Sequence, residues 1–113
     1  MRDVPISEIK ADLFRALAHP ARIRILEVLA DGERSVGDMA PLVGIESSHL
    51  SQQLAVLRRA GLVSTRKEAS SVYYAIRDPA TVELLAVAKR ILVNSLSGSS
   101  ELLADLRSAA GER

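Results

Sequence analysis

The stretch from Ser47 to Arg59 gathers the side chains in this chain best suited to recognition chemistry: Ser47, Ser48, His49, Ser51 and Gln52, then Arg58 and Arg59. A glutamine amide sets a donor beside an acceptor and matches the major-groove edge of adenine, while a serine hydroxyl adapts to several base edges. Leu50, Leu54 and Leu57 recur at helical spacing. At about 100° per residue the opposite face then carries Ser48, Gln52, Ala55 and Arg59, with His49 and Ser51 flanking it. The outward N-terminal half is small and polar, fit to reach base edges. Arg58 and Arg59 stand at the other end, placed for phosphate, and the backbone N–H groups around Ser47 and Ser48 add a phosphate anchor.

Other chemistries find no candidates. The chain has no cysteine, which excludes disulfides, thiolate metal sites and cysteine nucleophiles. No Ser/His/Asp set, glycine-rich phosphate loop or convergent carboxylate pair stands out, so the chain is not expected to be an enzyme or to carry a cofactor. His19 could be a ligand or a base, but it directly precedes Pro20 at a helix start, where the N-cap reading is preferred. For His49, DNA contact is preferred to idle exposure. Strand alternation turns Tyr74 inward and leaves Tyr73 open between stacking on a base and packing.

The recognition residues need elements to hold them. Ile9, Leu13, Phe14 and Leu17 recur at helical spacing after Ser7, and His19-Pro20 interrupts that helix. A second helix runs with Ile23, Leu26 and Leu29 on one face until Asp31-Gly32. Ser35-Val36-Gly37-Asp38 has a capping-box arrangement and opens a short helix that Gly44 ends in the left-handed conformation. The helix from Ser47 follows and stops at Ala60-Gly61. Residues 35–60 thus read as a helix-turn-helix, whose second helix can enter a DNA major groove. The period then turns to alternation: Leu62 to Lys67 and Val72 to Arg77 read as strands joined by Glu68 to Ser71, a wing over residues 62–77. Asp78-Pro79 opens a long helix through about Asn94, and a last short helix carries Leu102, Leu103 and Leu106.

At 113 residues there is room for one domain, and 48% hydrophobic with 26% charged residues is ordinary for a folded protein. Aromatics are only 3%, so the core must be built from aliphatic side chains, which favours packed helices. The net charge of +1 announces no partner, but its distribution does. From Glu46 to Arg77 the basic residues Arg58, Arg59, Arg66, Lys67 and Arg77 outnumber Glu46 and Glu68, five against two. That is an excess of +3 on the proposed reading surface. Met1 to Lys10 lacks an apolar stretch and no long apolar run occurs elsewhere, so neither signal peptide nor membrane contact is expected, and a cytoplasmic location is.

Three stretches carry a resemblance: Leu17-Ala18-His19-Pro20-Ala21-Arg22-Ile23-Arg24-Ile25-Leu26, Leu50-Ser51-Gln52-Gln53-Leu54-Ala55-Val56-Leu57-Arg58-Arg59-Ala60-Gly61-Leu62-Val63, and Val72-Tyr73-Tyr74-Ala75-Ile76. In order and spacing they resemble the ArsR/SmtB family of winged helix-turn-helix regulators, over about residues 8 to 94. The resemblance implies a mainly α fold with a small β-hairpin, a homodimer, DNA contact through the second motif helix and the wing, and usually repression relieved by an effector. It does not extend to the family's metal sites. Cysteine positions of arsenic- and lead-responsive members hold Ser35 and Gly37, and the ligand positions on the C-terminal helix read Asp78, Ala80, Ile91 and Asn94. Transition metals prefer imidazole or thiolate to such oxygens, so no metal ligand is expected. At the wing tip Ala69-Ser70-Ser71 stands where related proteins often have Gly-Arg. Ser70 and Ser71, with Arg66 and Lys67 on phosphate, are the expected wing contacts.

A dimer also follows from the residues. The helix from Ala80 to Val93 has an apolar arc wider than half its circumference, which implies a second buried face. Residues 7–18 and 79–110 are the expected dimerisation helices of one domain over 1–113. The expectation is a homodimeric repressor on an inverted-repeat operator of double-stranded DNA, released by an unidentified effector. Two rivals stay open: a metal-responsive regulator with an atypical site, and a winged-helix module that binds an acidic protein.

Overall fold

The computed structural model describes residues 4–96 and 104–108. It divides into two compact units, one ending at Pro79 and the other beginning at Ala80. The first contains α1 (Ile6–Leu17), α2 (Pro20–Leu29), β1 (Arg34–Ser35), α3 (Val36–Val43), α4 (Ser47–Arg59), β2 (Val63–Glu68) and β3 (Ser71–Ile76). The second contains α5 (Ala80–Ser95), and residues 104–108 are helical as well. Leu102 and Leu103, expected in a last helix, lie outside the described residues.

Local chemistry sets the helix ends. His19 is extended and its Nδ1 accepts the Ala21 N–H at 3.1 Å, so the imidazole caps α2 while Pro20 takes the first helical position. The Ser35 hydroxyl accepts the Asp38 N–H at 3.2 Å and caps α3 in the same way. Gly44 ends α3 at φ +83°, with its N–H on the Ala40 carbonyl at 2.8 Å. That conformation costs an L side chain about 1–2 kcal/mol, and glycine nothing comparable. It turns the chain within a few residues into α4.

The core of the first unit lies where α2, α3 and α4 meet. Ile25, Leu26, Met39, Leu50, Leu54 and Leu57 have no exposed surface, and Leu29 and Val43 are nearly as buried. In α2 the buried face is wider than the spacing suggests: Ile25 is fully enclosed and Ile23 only half-buried, because α2 packs on α3, α4 and β3 together. In α3, Met39 and Val43 face inward and Leu42 stays 55% exposed.

The wing differs from expectation in having a third strand. The sheet is antiparallel in the order β1-β3-β2, with Arg34 opposite Tyr74 and Ser35 opposite Tyr73. Two residues are too few for an alternation pattern, so β1 exists only because β3 offers it an edge. The hairpin pairs Val63 with Ile76 through Glu68 with Ser71, and the Arg77 N–H closes it on the Leu62 carbonyl at 3.1 Å. Its turn is the two residues Ala69 and Ser70, with Ala69 at φ +55°.

Candidate nucleic-acid interface

Three leucines decide what α4 presents. With Leu50, Leu54 and Leu57 fully buried, the helix cannot rotate about its axis without exposing them, so Ser47, Ser48, His49, Ser51 and Gln52 are all exposed. The Glu46 side chain makes no cap bond at the start of α4, which leaves the first-turn N–H groups open to an incoming phosphate. Arg58 and Arg59 are exposed in the last turn. With Ala55 and the half-buried Tyr74 they line an open cleft of about 430 Å³ between α4 and β3. A pair of cations lining such a cleft suits a phosphate oxygen.

The wing residues divide. Lys67, Ser70 and Ser71 are exposed around the hairpin tip. Arg66 is engaged. Its guanidinium donates to both carboxylate oxygens of Glu33, at 3.2 and 2.5 Å, and to Glu68 at 2.9 Å, and it lies 4.8 Å from the centre of the Tyr73 ring. The hydrogen bond from Arg66 holds the Glu33 carboxyl below its ordinary value, and the bonds to Glu33 and Glu68 push the Arg66 guanidinium still higher. Two carboxylates thus neutralise a charge counted on the basic face. Tyr73, left open by the sequence, forms the surface under that arginine, whereas Tyr74 faces α4.

A second network was not legible in the sequence. Arg22 on α2 donates from Nη1 to Gln53 Oε1 at 3.2 Å and from Nη2 to the Arg15 carbonyl at 3.3 Å. Gln53 Nε2 in turn lies 3.3 Å from His49 Nε2. The His49 ring meets His19 edge to face, centroids 6.5 Å apart and planes at 79°. The four-residue spacing of His49 and Gln53 was available as a signal; the α2 partner, 31 residues away, was not. Among the described residues no three of His, Asp and Glu gather as metal ligands would. No helix among them is long and apolar enough to cross a membrane.

Comparison with known proteins places this geometry. Residues 19–65 match the model of the bacterial regulatory protein, arsR family. The chain is 51% identical over 108 residues to the uncharacterized HTH-type transcriptional regulator Rv0081 of Mycobacterium tuberculosis, covering 95% of each chain. The chain belongs to the ArsR family. The crystal structure of Rv0081 superposes with a TM-score of 0.77 at 52% identity, covering 85% of this chain and 97% of that one. Another ArsR-type neighbour is the homodimeric winged helix-turn-helix DNA-binding domain Mb0332 of Mycobacterium bovis, with a TM-score of 0.74, 29% identity and 87% and 95% coverage. Less similar relatives include a biofilm growth-associated repressor of Agrobacterium fabrum, 44% identical over 66% of this chain and 64% of its own. The transcriptional activator HlyU of Vibrio cholerae is 46% identical over 65% of this chain and 70% of its own. This ArsR-family chain is therefore a transcriptional regulator built on a winged helix-turn-helix fold.

Proposed function

We propose that this regulator is a cytoplasmic homodimer that binds an inverted-repeat operator of double-stranded DNA and represses until an effector releases it. The observation that carries the reading is the exposure of Ser48, His49, Ser51 and Gln52 on α4, whose opposite face is locked by the fully buried Leu50, Leu54 and Leu57. In this reading Ser48, His49, Ser51 and Gln52 meet base edges. Ser47 and the first-turn N–H groups hold phosphate, as do Arg58, Arg59, Lys67, Ser70 and Ser71. Arg66, tied to Glu33, fixes the angle of the wing more than it adds charge.

Exposed apolar side chains support the dimer. On α1, Ile6 is 69% exposed and Ile9 and Phe14 are each 55% exposed; on α5, Ile91 and Leu92 are at least half exposed. Such rows call for cover, and a second copy supplies it with two-fold closure. Two reading helices then stand about 34 Å apart, one DNA turn. A dimer across promoter elements blocks polymerase, which favours repression.

The test is selection of bound fragments from random DNA at about 150 mM salt, followed by titration of the enriched and a scrambled duplex. Enrichment of an inverted repeat with at least a hundredfold preference supports the reading. Equal binding of both duplexes removes it, and a monomer in sedimentation at micromolar concentration removes the two-fold arrangement.

A further inference from the structure

We propose that Arg22 and Gln53 form a relay that fixes the tautomer of His49, so that His49 offers the DNA a single N–H donor and selects an acceptor base edge. The inference rests on the DNA-reading assignment above and adds a specificity-determining residue with two positioning residues behind it.

The argument is one of hydrogen-bond polarity. An arginine guanidinium only donates, so the atom of Gln53 that faces Arg22 Nη1 at 3.2 Å is its oxygen, and the amide orientation is set. The Gln53 NH₂ group is thereby turned to His49, 3.3 Å from Nε2. An NH₂ group donates, so Nε2 must accept and carries no proton. The proton of the neutral ring then sits on Nδ1, on the side of the ring directed away from Gln53. Arg22 is itself held, since its other terminal nitrogen donates to the Arg15 carbonyl near the end of α1. The His19 ring meets that of His49 edge to face, and its own Nδ1 is committed to the Ala21 N–H.

The consequence is selectivity. A lone donor suits guanine N7 and O6, adenine N7 or thymine O4, and it has no partner on the major-groove edge of cytosine, which presents an amino donor. Released from the relay, His49 adopts either tautomer and loses the preference. Arg22 and Gln53 thus influence base choice without touching a base.

Two measurements test this. The first reads the ring nitrogens of the full-length, ¹⁵N-labelled protein at pH 8 by two-bond ¹H–¹⁵N correlation. The expected pattern is protonated Nδ1 for His49 and protonated Nε2 for His19, with the His49 pattern averaged in Gln53→Met. A protonated Nε2 on wild-type His49 overturns the relay. The second scans every base of the operator half-site for the wild type, His49→Ala, Gln53→Met and the double variant. Each single variant is expected to flatten the same position, losing about three- to tenfold of base discrimination, with no further loss in the double variant. Retention of the wild-type profile by Gln53→Met overturns the relay and leaves the DNA-reading assignment standing. A wild type without preference at any position removes both.

Discussion

Arg66 on the wing and Glu33 in the loop after α2 are joined by two hydrogen bonds, although 33 residues separate them in the chain. The pair ties β2, the outer strand of the hairpin, to the loop between α2 and β1, and it withdraws one positive charge from the face that would meet DNA.

That withdrawal gives the first prediction. Glu33→Gln keeps the size of the side chain and removes one of the two carboxylates that hold Arg66, leaving it paired with Glu68 alone and more available to phosphate. Binding to all DNA sequences is expected to tighten, and the slope of log K against log salt to steepen by about 0.9 for each further phosphate neutralised. By the same logic Arg58→Ala weakens all sequences and flattens the slope, and Arg66→Ala changes the slope less than Arg58→Ala does. Salt titrations of the three variants check this ordering.

The pair also sets a pH window. The folded Glu33 carboxyl is depressed by Arg66 below its ordinary value of 4.5. Whatever stability the pair lends is therefore complete above that value and lost as pH falls below it through the folded value. Melting temperatures of wild type and Glu33→Gln, compared between pH 7 and pH 3, are expected to differ by a constant amount near neutrality and to converge at the acid end.

Gln52→Ala tests the reading face directly. It is expected to lose about 1–3 kcal/mol on the specific site and to relax preference at one base position, with little change on random DNA. Equal losses on the two DNAs count against its assigned role.

The α2 cap is testable by stability alone. His19→Ala removes the acceptor for the Ala21 N–H and is expected to cost about 1 kcal/mol, whereas His19→Asn supplies another acceptor and recovers most of it. Denaturant titration separates the two. In the core, Leu54→Ala is expected to cost about 2–5 kcal/mol, as for other fully buried leucines.

The wing tip offers a stabilising change. Ala69 at φ +55° occupies backbone space that costs a residue with a Cβ about 1–2 kcal/mol, offset in part by the greater chain entropy of glycine. Ala69→Gly is expected to raise the melting temperature by a few degrees.

Periodicity and punctuation made the helices, the turn at Gly44 and the hairpin legible, because each arises from contacts within a few residues of one another. Leu50, Leu54 and Leu57 announced the buried face of α4 and so the exposed one, and Pro20 after His19 announced a cap that the structure contains. What tertiary packing decided is the pairing of side chains far apart in the chain. Arg34 and Ser35 became a strand only against β3, Arg66 found Glu33, and Arg22 reached Gln53. A one-dimensional pattern records which face a residue occupies, but a hydrogen bond across 31 residues depends on the distance between two packed helices, and that distance is set by the core between them.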